Sequence, residues 1–235
     1  MEKGKQLYEG KAKILYATDD PGLLIQYFKD DATAFNAKKR GTIENKGVMN
    51  ARISSFLFEY LEKQGIRTHF VKLLSDREML IRRVEIIPIE VVVRNVVAGS
   101  LAKRMGLPEG TPLKRPIVEY YYKSDALDDP MITDEHIDVF GFSTHEELAG
   151  ITKLARAVND HLSAFFLTRG IRLIDFKLEF GRHPLGLLLA DEITPDGCRL
   201  WDAKTDEKLD KDRFRRDLGG VEGAYRRVLE AVTAA

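Results

Sequence analysis

The stretch Asp175-Phe176-Lys177-Leu178-Glu179-Phe180-Gly181 alternates charged and apolar residues without a slip, and it constrains the fold more than any other segment. A β-strand sends successive side chains to opposite faces, so Asp175, Lys177 and Glu179 share one face while Phe176, Leu178 and Phe180 fill the other. Leu187-Leu188-Leu189-Ala190-Asp191-Glu192 reads as a second strand whose first carboxylate follows a fully apolar run. Between them, Arg182 to Gly186 contains Pro and Gly, which predicts a hairpin. Antiparallel pairing centred near Pro184 or Leu185 would bring Asp191 roughly opposite Glu179. Two carboxylates and a lysine converging on one sheet face suggest a metal–polyphosphate site. The alternative is an amphipathic strand whose polar face is merely wet, as antiparallel sheets allow.

The rest of the chain bears on that choice. Its 235 residues suit one large domain or two small ones, and either buries a real core. Lys+Arg and Asp+Glu number 37 each, so no net field draws the chain to nucleic acid or an anionic membrane. No apolar run approaches a membrane span, and Met1 to Lys5 is not followed by a signal-type apolar core. Cys198 is the single cysteine, which excludes an internal disulfide and a cysteine-based zinc site and makes the cytosol the simplest compartment.

Strand patterns lie on either side of Gly10-Lys11-Ala12-Lys13 and over Leu24 to Phe28, Thr68 to Leu73, Met79 to Val84 and Glu85 to Val97. Asn45 is placed to cap a helix running to Lys63 and ended by Gly65. Ser143 with Glu146 makes a capping-box pattern for a long helix stopping at Gly170. Two shorter helices follow, after Asp210 and after Gly220. Early strands, later helices and frequent hairpins describe an α+β chain with a boundary near residues 80 to 90.

Several segments carry possible chemistry. Lys11 and Lys13 sit at strand spacing after a flexible glycine, so both ammonium groups could reach one polyphosphate. An exposed hairpin tip explains them as well. No Walker loop, dinucleotide glycine motif, zinc-hydrolase histidine pair or Gly-x-Ser-x-Gly elbow is present. Arg94 ends a buried strand pattern, and Ser100 looks like the N-cap of a short helix closed by Gly106. Together they would make an anion pocket suited to a phosphate monoester, or a cap beside a solvated arginine. Lys123 to Pro130 is an acidic turn, and Thr194-Pro195-Asp196-Gly197 is a turn that delivers Arg199 toward Arg94. Cations for a polyphosphate, carboxylates for magnesium and a second phosphate pocket form a complementary set, which favours an enzyme.

Two long segments are similar to a known family. Ile86-Ile87-Pro88-Ile89-Glu90-Val91-Val92-Val93-Arg94-Asn95-Val96-Val97-Ala98-Gly99-Ser100 resembles one signature of the SAICAR synthetases, and Leu173 to Gly181 resembles the second. The likeness extends to Tyr8 to Lys13, Asp125 to Met131, Thr194 to Gly197 and Asp210 to Arg215, so it spans nearly the whole chain. It implies ATP-dependent joining of L-aspartate to a carboxyaminoimidazole ribonucleotide in purine biosynthesis, with Mg2+ as cofactor and a homodimer as assembly. It implies a fold related to ATP-grasp, with a smaller N-terminal lobe over 1–84 and a larger lobe over 85–235. By position, Lys11, Ala12 and Lys13 would contact ATP phosphates, and the Leu80 to Val84 stretch, with Arg82 and Val84, would meet adenine. Glu179 and Asp191 would hold magnesium beside ATP, and Arg94, Ser100 and Arg199 the ribonucleotide phosphate. Asp175 and Lys177 would lie near the ribose and the reacting carboxylate, with Lys13 completing the catalytic set and Asp129 in a loop by the substrates. Asn36 stands where some members carry Asp, so a role needing negative charge is in doubt there. Phosphorylation of the carboxylate, to an acyl phosphate that the amine attacks, is the chemistry expected. A small-molecule kinase and a silent nucleotide-binding module are the rival readings.

Overall fold

The computed structural model describes residues 2–34 and 38–234, so Asn36 lies outside the described residues. A first sheet has the order β1-β2-β3-β7-β6, formed by β1 (Gln6–Glu9), β2 (Lys13–Ala17), β3 (Leu23–Phe28), β6 (Phe70–Ser75) and β7 (Glu78–Arg82). Between β3 and β6 lie the small hairpin of β4 (Asp31–Ala34) and β5 (Lys39–Thr42) and the helix α1 (Lys46–Lys63). The expected strand at Thr68 starts two residues later. Residues 67–69 instead bond to a strand of the second sheet, with Arg67 O accepting from Leu189 N at 3.0 Å and His69 N donating to Leu189 O at 2.8 Å.

Asn45 does stand at the N-cap of α1, but with φ 57° and no side-chain cap bond. The carboxylate of Asp30 takes over, accepting from Gly47 N at 2.8 Å. Gly47 has to be glycine for a steric reason. A Cβ there would lie 2.9 Å from the Phe28 carbonyl carbon and 2.7 Å from an Arg77 nitrogen, so the helix start sits directly on the end of β3.

The second sheet has the order β10-β9-β8-β11-β12 and is built from β8 (Glu85–Val96), β9 (Pro112–Tyr122), β10 (Met131–Ile132), β11 (Ile171–His183) and β12 (Gly186–Ala190). A further strand, β13 (Cys198–Asp202), pairs with the first half of β11. Every pair within the two large sheets is antiparallel among the described residues, as the α+β pattern requires. Short helices α2 (Gly99–Met105) and α3 (Asp134–Val139) flank β9 and β10. The long helix α4 (His145–Leu167) covers the back of β11 with Leu148, Ile151, Ala155, Val158, Leu162 and Phe166. After β13, α5 (Asp212–Arg215) is a single turn, and α6 (Val221–Thr233) packs on α1. No helix among the described residues is long and apolar enough to cross a membrane.

The capping box of α4 is one residue later than expected. Thr144 Oγ1 accepts from Glu147 N at 3.1 Å, and Glu147 Oε2 accepts from Thr144 N at 2.9 Å. Both Ser143–Glu146 and Thr144–Glu147 fit the spacing. The tie is broken by Arg182 of β11, which binds Glu147 at 2.6 and 3.0 Å and fixes that carboxylate at the helix start.

β11 organises the molecule. Phe176, Leu178 and Phe180 are each 1% exposed on the core side, as the alternation demanded. The charged side is not wet: Asp175 and Glu179 are each only 3% exposed. The hairpin closes on Pro184 and Leu185, with His183 opposite Gly186 and Glu179 opposite Ala190. Asp191 therefore falls one residue past Glu179's partner. At Asp191 the backbone turns into the left-handed region, φ 64°, which Asp tolerates better than most residues. That turn brings a carboxylate that would have faced the other side of a regular strand to Lys177, the lysine that also binds Glu179.

Candidate functional site

Where the two sheets meet, a cavity of about 260 Å³ is lined by Lys13, Leu15, Leu24, Gln26, His69, Ile81, Arg82, Val84, Ile86, Lys123, Glu179 and Asp191. Leu15, Leu24, Ile81, Val84 and Ile86 give it an apolar end, and the lysines and carboxylates a charged one. The chain crosses between sheets at residues 82–84. Arg82 N already donates to His69 O at 2.6 Å and Arg83 N to Gly22 O at 2.8 Å, and Val84 borders the cavity itself. His69 is 1% exposed, and burial, with Lys13 and Arg82 nearby, pushes its imidazole down to about 3, so it is neutral at pH 7.

Gly181 sets the position of Val84. A Cβ at residue 181 would stand 2.6 Å from Val84 Cβ and 3.2 Å from the Glu85 carbonyl oxygen. Gly181→Ala is therefore expected to push Val84 toward the cavity and to cost about 1–3 kcal/mol through overpacking, with a lower melting temperature. A thermal melt measures it, and an unchanged melting temperature would remove Gly181 from any part in fixing Val84.

The charged end is a closed ion cluster. Lys177 Nζ binds Glu179 at 2.6 Å, Glu90 at 3.1 Å and Asp191 at 3.1 Å. Lys123 pairs with the other oxygen of Glu179, and Lys13 with the other oxygen of Asp191. Glu90 stands directly opposite Glu179 across β8 and β11, an unfavourable like-charge pair that the shared Lys177 offsets. Burial pushes the Glu179 carboxyl upward, but Lys177, Lys123 and Lys13 outweigh it and hold the group well below the usual carboxylate range. Lys177 moves oppositely: burial disfavours its charge, and Glu179 and Glu90 more than restore it. Burial likewise lowers Lys13, against the pull of Glu192 and Glu179.

Four residues along β11, about 13 Å at strand rise, lies a second cluster. Asp175 is the register partner of both Arg94 on β8 and Arg199 on β13, so three strands set one row of alternating charge. Arg94 Nη1 donates to Asp175 at 2.8 Å, and Arg199 Nη1 to both Asp175 oxygens at 3.0 and 2.9 Å. Arg94 also donates to Glu119 at 2.7 Å, Ser100 Oγ at 2.9 Å and Tyr121 OH at 3.2 Å, committing four of its five N–H donors. Arg199 is further held by Asp212 at 3.0 Å. Both guanidiniums stay charged despite burial, because Asp175 and the second carboxylate of each stabilise the cation.

Ser100 does not cap α2. The helix begins at Gly99, φ 53°, whose N–H is taken by Glu109 at 3.0 Å, and the Ser100 hydroxyl is turned to Arg94. Gly99 is required twice over, by its left-handed φ and because a Cβ would lie 2.5 Å from the Arg199 guanidinium carbon.

Lys13, Arg82, Val84, Glu179 and Asp191 thus line one cavity, with Lys177 paired to two of its carboxylates, and Arg94, Ser100, Asp175 and Arg199 meet in one neighbouring cluster. Lys11 is placed differently. It pairs with Asp125 at 2.7 Å in an adjoining cleft with Lys29 and Arg40, while Tyr8 lines both spaces. Ala12 O accepts from Lys29 N at 2.8 Å. Asp129 closes its own turn, accepting from Ser124 N at 2.8 Å. Sequence reasoning missed Lys123, Glu90 and Glu119. Lys123 opens the acidic turn that drew attention to its aspartates, and Glu90 lay inside the recognised signature; Glu119 carried no signal at all. Glu179 and Asp191 offer oxygen donors near enough for one ammonium to bridge, which fits a hard cation completing its shell with ligand oxygens and water.

The SAICAR synthetase family model matches residues 6–232. The chain belongs to the SAICAR synthetase family. It is 62% identical to the phosphoribosylaminoimidazole-succinocarboxamide synthase of Magnetococcus marinus over 97% of this chain and 96% of that one. Its fold superposes on the crystal structure of the Ehrlichia chaffeensis synthase with TM-score 0.96, at 50% identity over 98% and 99% of the two chains. A SAICAR synthetase solved in complex with ADP matches with TM-score 0.95 and 48% identity over 98% of each.

Proposed function

We propose that this chain uses ATP to join L-aspartate to the carboxylate of 5-amino-1-(5-phospho-D-ribosyl)imidazole-4-carboxylate, giving SAICAR, ADP and phosphate in purine biosynthesis. Family membership supports the reaction. The observation that carries it to these residues is β11, which on one strand sets Glu179 at the cavity with Lys177 paired to it, and Asp175 in a two-arginine clamp. An ATP phosphate chain and a ribonucleotide phosphate need two sites supplied with basic side chains a fixed distance apart.

In this reading the apolar end of the cavity, with Arg82 and Val84, takes adenine, while Lys13, with Lys11 and Ala12 near it, attends the phosphates. Glu179 and Asp191 would hold Mg2+, which supplies charge neutralisation on the phosphates when bound. Ser100, with its hydroxyl oriented by Arg94, and Arg199 would receive the ribonucleotide phosphate, with Asp175 beside the ribose and Asp129 in a loop near the substrates. Lys177, held by three carboxylates, is placed to stabilise the reacting carboxylate. A carboxylate has no leaving group, so γ-phosphoryl transfer to it would give an acyl phosphate, which the aspartate amine attacks with loss of phosphate. Such transfer depends on positioning and charge, and lysines with a metal suit it. The same reading includes an ATP-grasp relationship, lobes at 1–84 and 85–235, a homodimer and a cytoplasmic location.

The experiment is ADP release from ATP, Mg2+ and the ribonucleotide, with and without aspartate. Turnover is expected only when aspartate is present. Equal ADP release without it would point to a kinase, and none in either mixture to a silent binding module.

A further inference from the structure

All four side-chain oxygens of Glu179 and Asp191 lie under ammonium groups: Lys177 and Lys123 on Glu179, Lys13 and Lys177 on Asp191. A cation approaching these carboxylates meets no oxygen that is not already paired. The three lysines are not equally fixed. Lys177 has Glu90 as a third anchor, so losing one contact leaves it held. Lys123 sits at the rim with its side chain 39% exposed, paired to Glu179, which is itself 3% exposed. Lys123 also lines the cavity, so a short swing would carry its ammonium from the carboxylate to a ligand.

The charges impose a condition on what enters. Lys13, Lys123 and Lys177 face four carboxylates, Glu90, Glu179, Asp191 and Glu192, the last 4.0 Å from Lys13, so the cluster carries one excess negative charge. A divalent cation alone adds two positive charges to it, and a diphosphate alone adds about three negative ones beside the carboxylates. Either change is costly at low dielectric. Entry of both, with lysines moving to phosphate and carboxylate oxygens to the cation, changes the net charge least.

We infer that Lys123 is an exchangeable counter-ion, holding Glu179 until a phosphorylated ligand takes its ammonium, so that nucleotide and divalent cation load this site together. The inference rests on the nucleotide reading above and assigns Lys123 a part in it.

Calorimetric titration of the full chain with Mn2+ alone, ADP alone and both together tests this. In the unaltered protein, Mn2+ and ADP should each strengthen the other's binding by roughly 5- to 150-fold. Lys123→Met uncovers one Glu179 oxygen, so Mn2+ alone should bind about tenfold tighter while the mutual strengthening shrinks, a change of roughly 1.4 kcal/mol. Lys123→Arg, which keeps the cation, should restore the original pattern. Comparing variants under one condition cancels association of Mn2+ with ADP in solution. Unchanged Mn2+ affinity and unchanged coupling in a folded Lys123→Met protein overturn the proposal. Failure of ADP to bind with or without Mn2+ would instead sink the nucleotide reading, and the Mn2+ titration alone would still decide whether Lys123 guards Glu179.

Discussion

Glu179→Gln is expected to lower turnover by at least about a hundredfold, the scale seen when a group stabilising transferred charge is removed. Glutamine keeps the shape and the strand but loses the anion. The buried lysine it leaves is not stranded, because Lys177 retains Glu90 at 3.1 Å and Asp191 at 3.1 Å. Lys123, 39% exposed, can return to water. The repulsion between Glu179 and Glu90, register partners across β8 and β11, also disappears. The melting temperature should therefore stay within a few degrees, since 1 kcal/mol moves it by about 2–4 °C in a chain of this size. ADP release measured beside a thermal melt separates the two effects. Full activity in a folded variant would take Glu179 out of the proposed metal site.

Asp175→Asn should behave in the opposite way, with a large loss of stability. Asp175 is 3% exposed and is the shared counter-ion of two arginines, Arg94 at 2.8 Å and Arg199 at 2.9 Å. Breaking a buried pair by removing one partner costs about 3–5 kcal/mol. The lower end applies here, because Arg94 keeps Glu119 at 2.7 Å and Arg199 keeps Asp212 at 3.0 Å. About 3 kcal/mol corresponds to a fall in melting temperature on the order of 10 °C. Urea unfolding gives the free energy directly. A melting temperature unchanged by the substitution would mean that the Arg94–Asp175–Arg199 row does not contribute to folding. Because the two clusters share β11, the contrast between Glu179 and Asp175 also tests whether one strand carries a ligand-facing charge and a structural charge four residues apart.

Much of this arrangement was legible before any coordinates. The alternation from Asp175 to Gly181, the hairpin at Pro184 and Leu185, and the apolar face of Phe176, Leu178 and Phe180 follow from period two and from turn chemistry. The gathering of Lys13 with Glu179 and Asp191 was expected from residue type and likeness to the family. Less legible were features that depend on two candidates with equal local merit. Ser143 and Thr144 both suit a capping box, and only Arg182, reaching across from β11, selects the second. Ser100 suits an N-cap, and only the neighbouring Arg94 shows why its hydroxyl points elsewhere. Asp191 lay one residue off the expected register, and its left-handed backbone corrects the offset.

What the sequence alone determined was therefore the strand, its two faces and the identity of the charges, because side-chain alternation is a local property of extended backbone. Tertiary structure decided which charges are partners. Lys123 and Glu179 are 56 residues apart, and Lys13 and Asp191 are 178 apart. No periodicity connects such positions. Only the meeting of two sheets, which buries these carboxylates beyond the reach of water, forces each of them to find a cation.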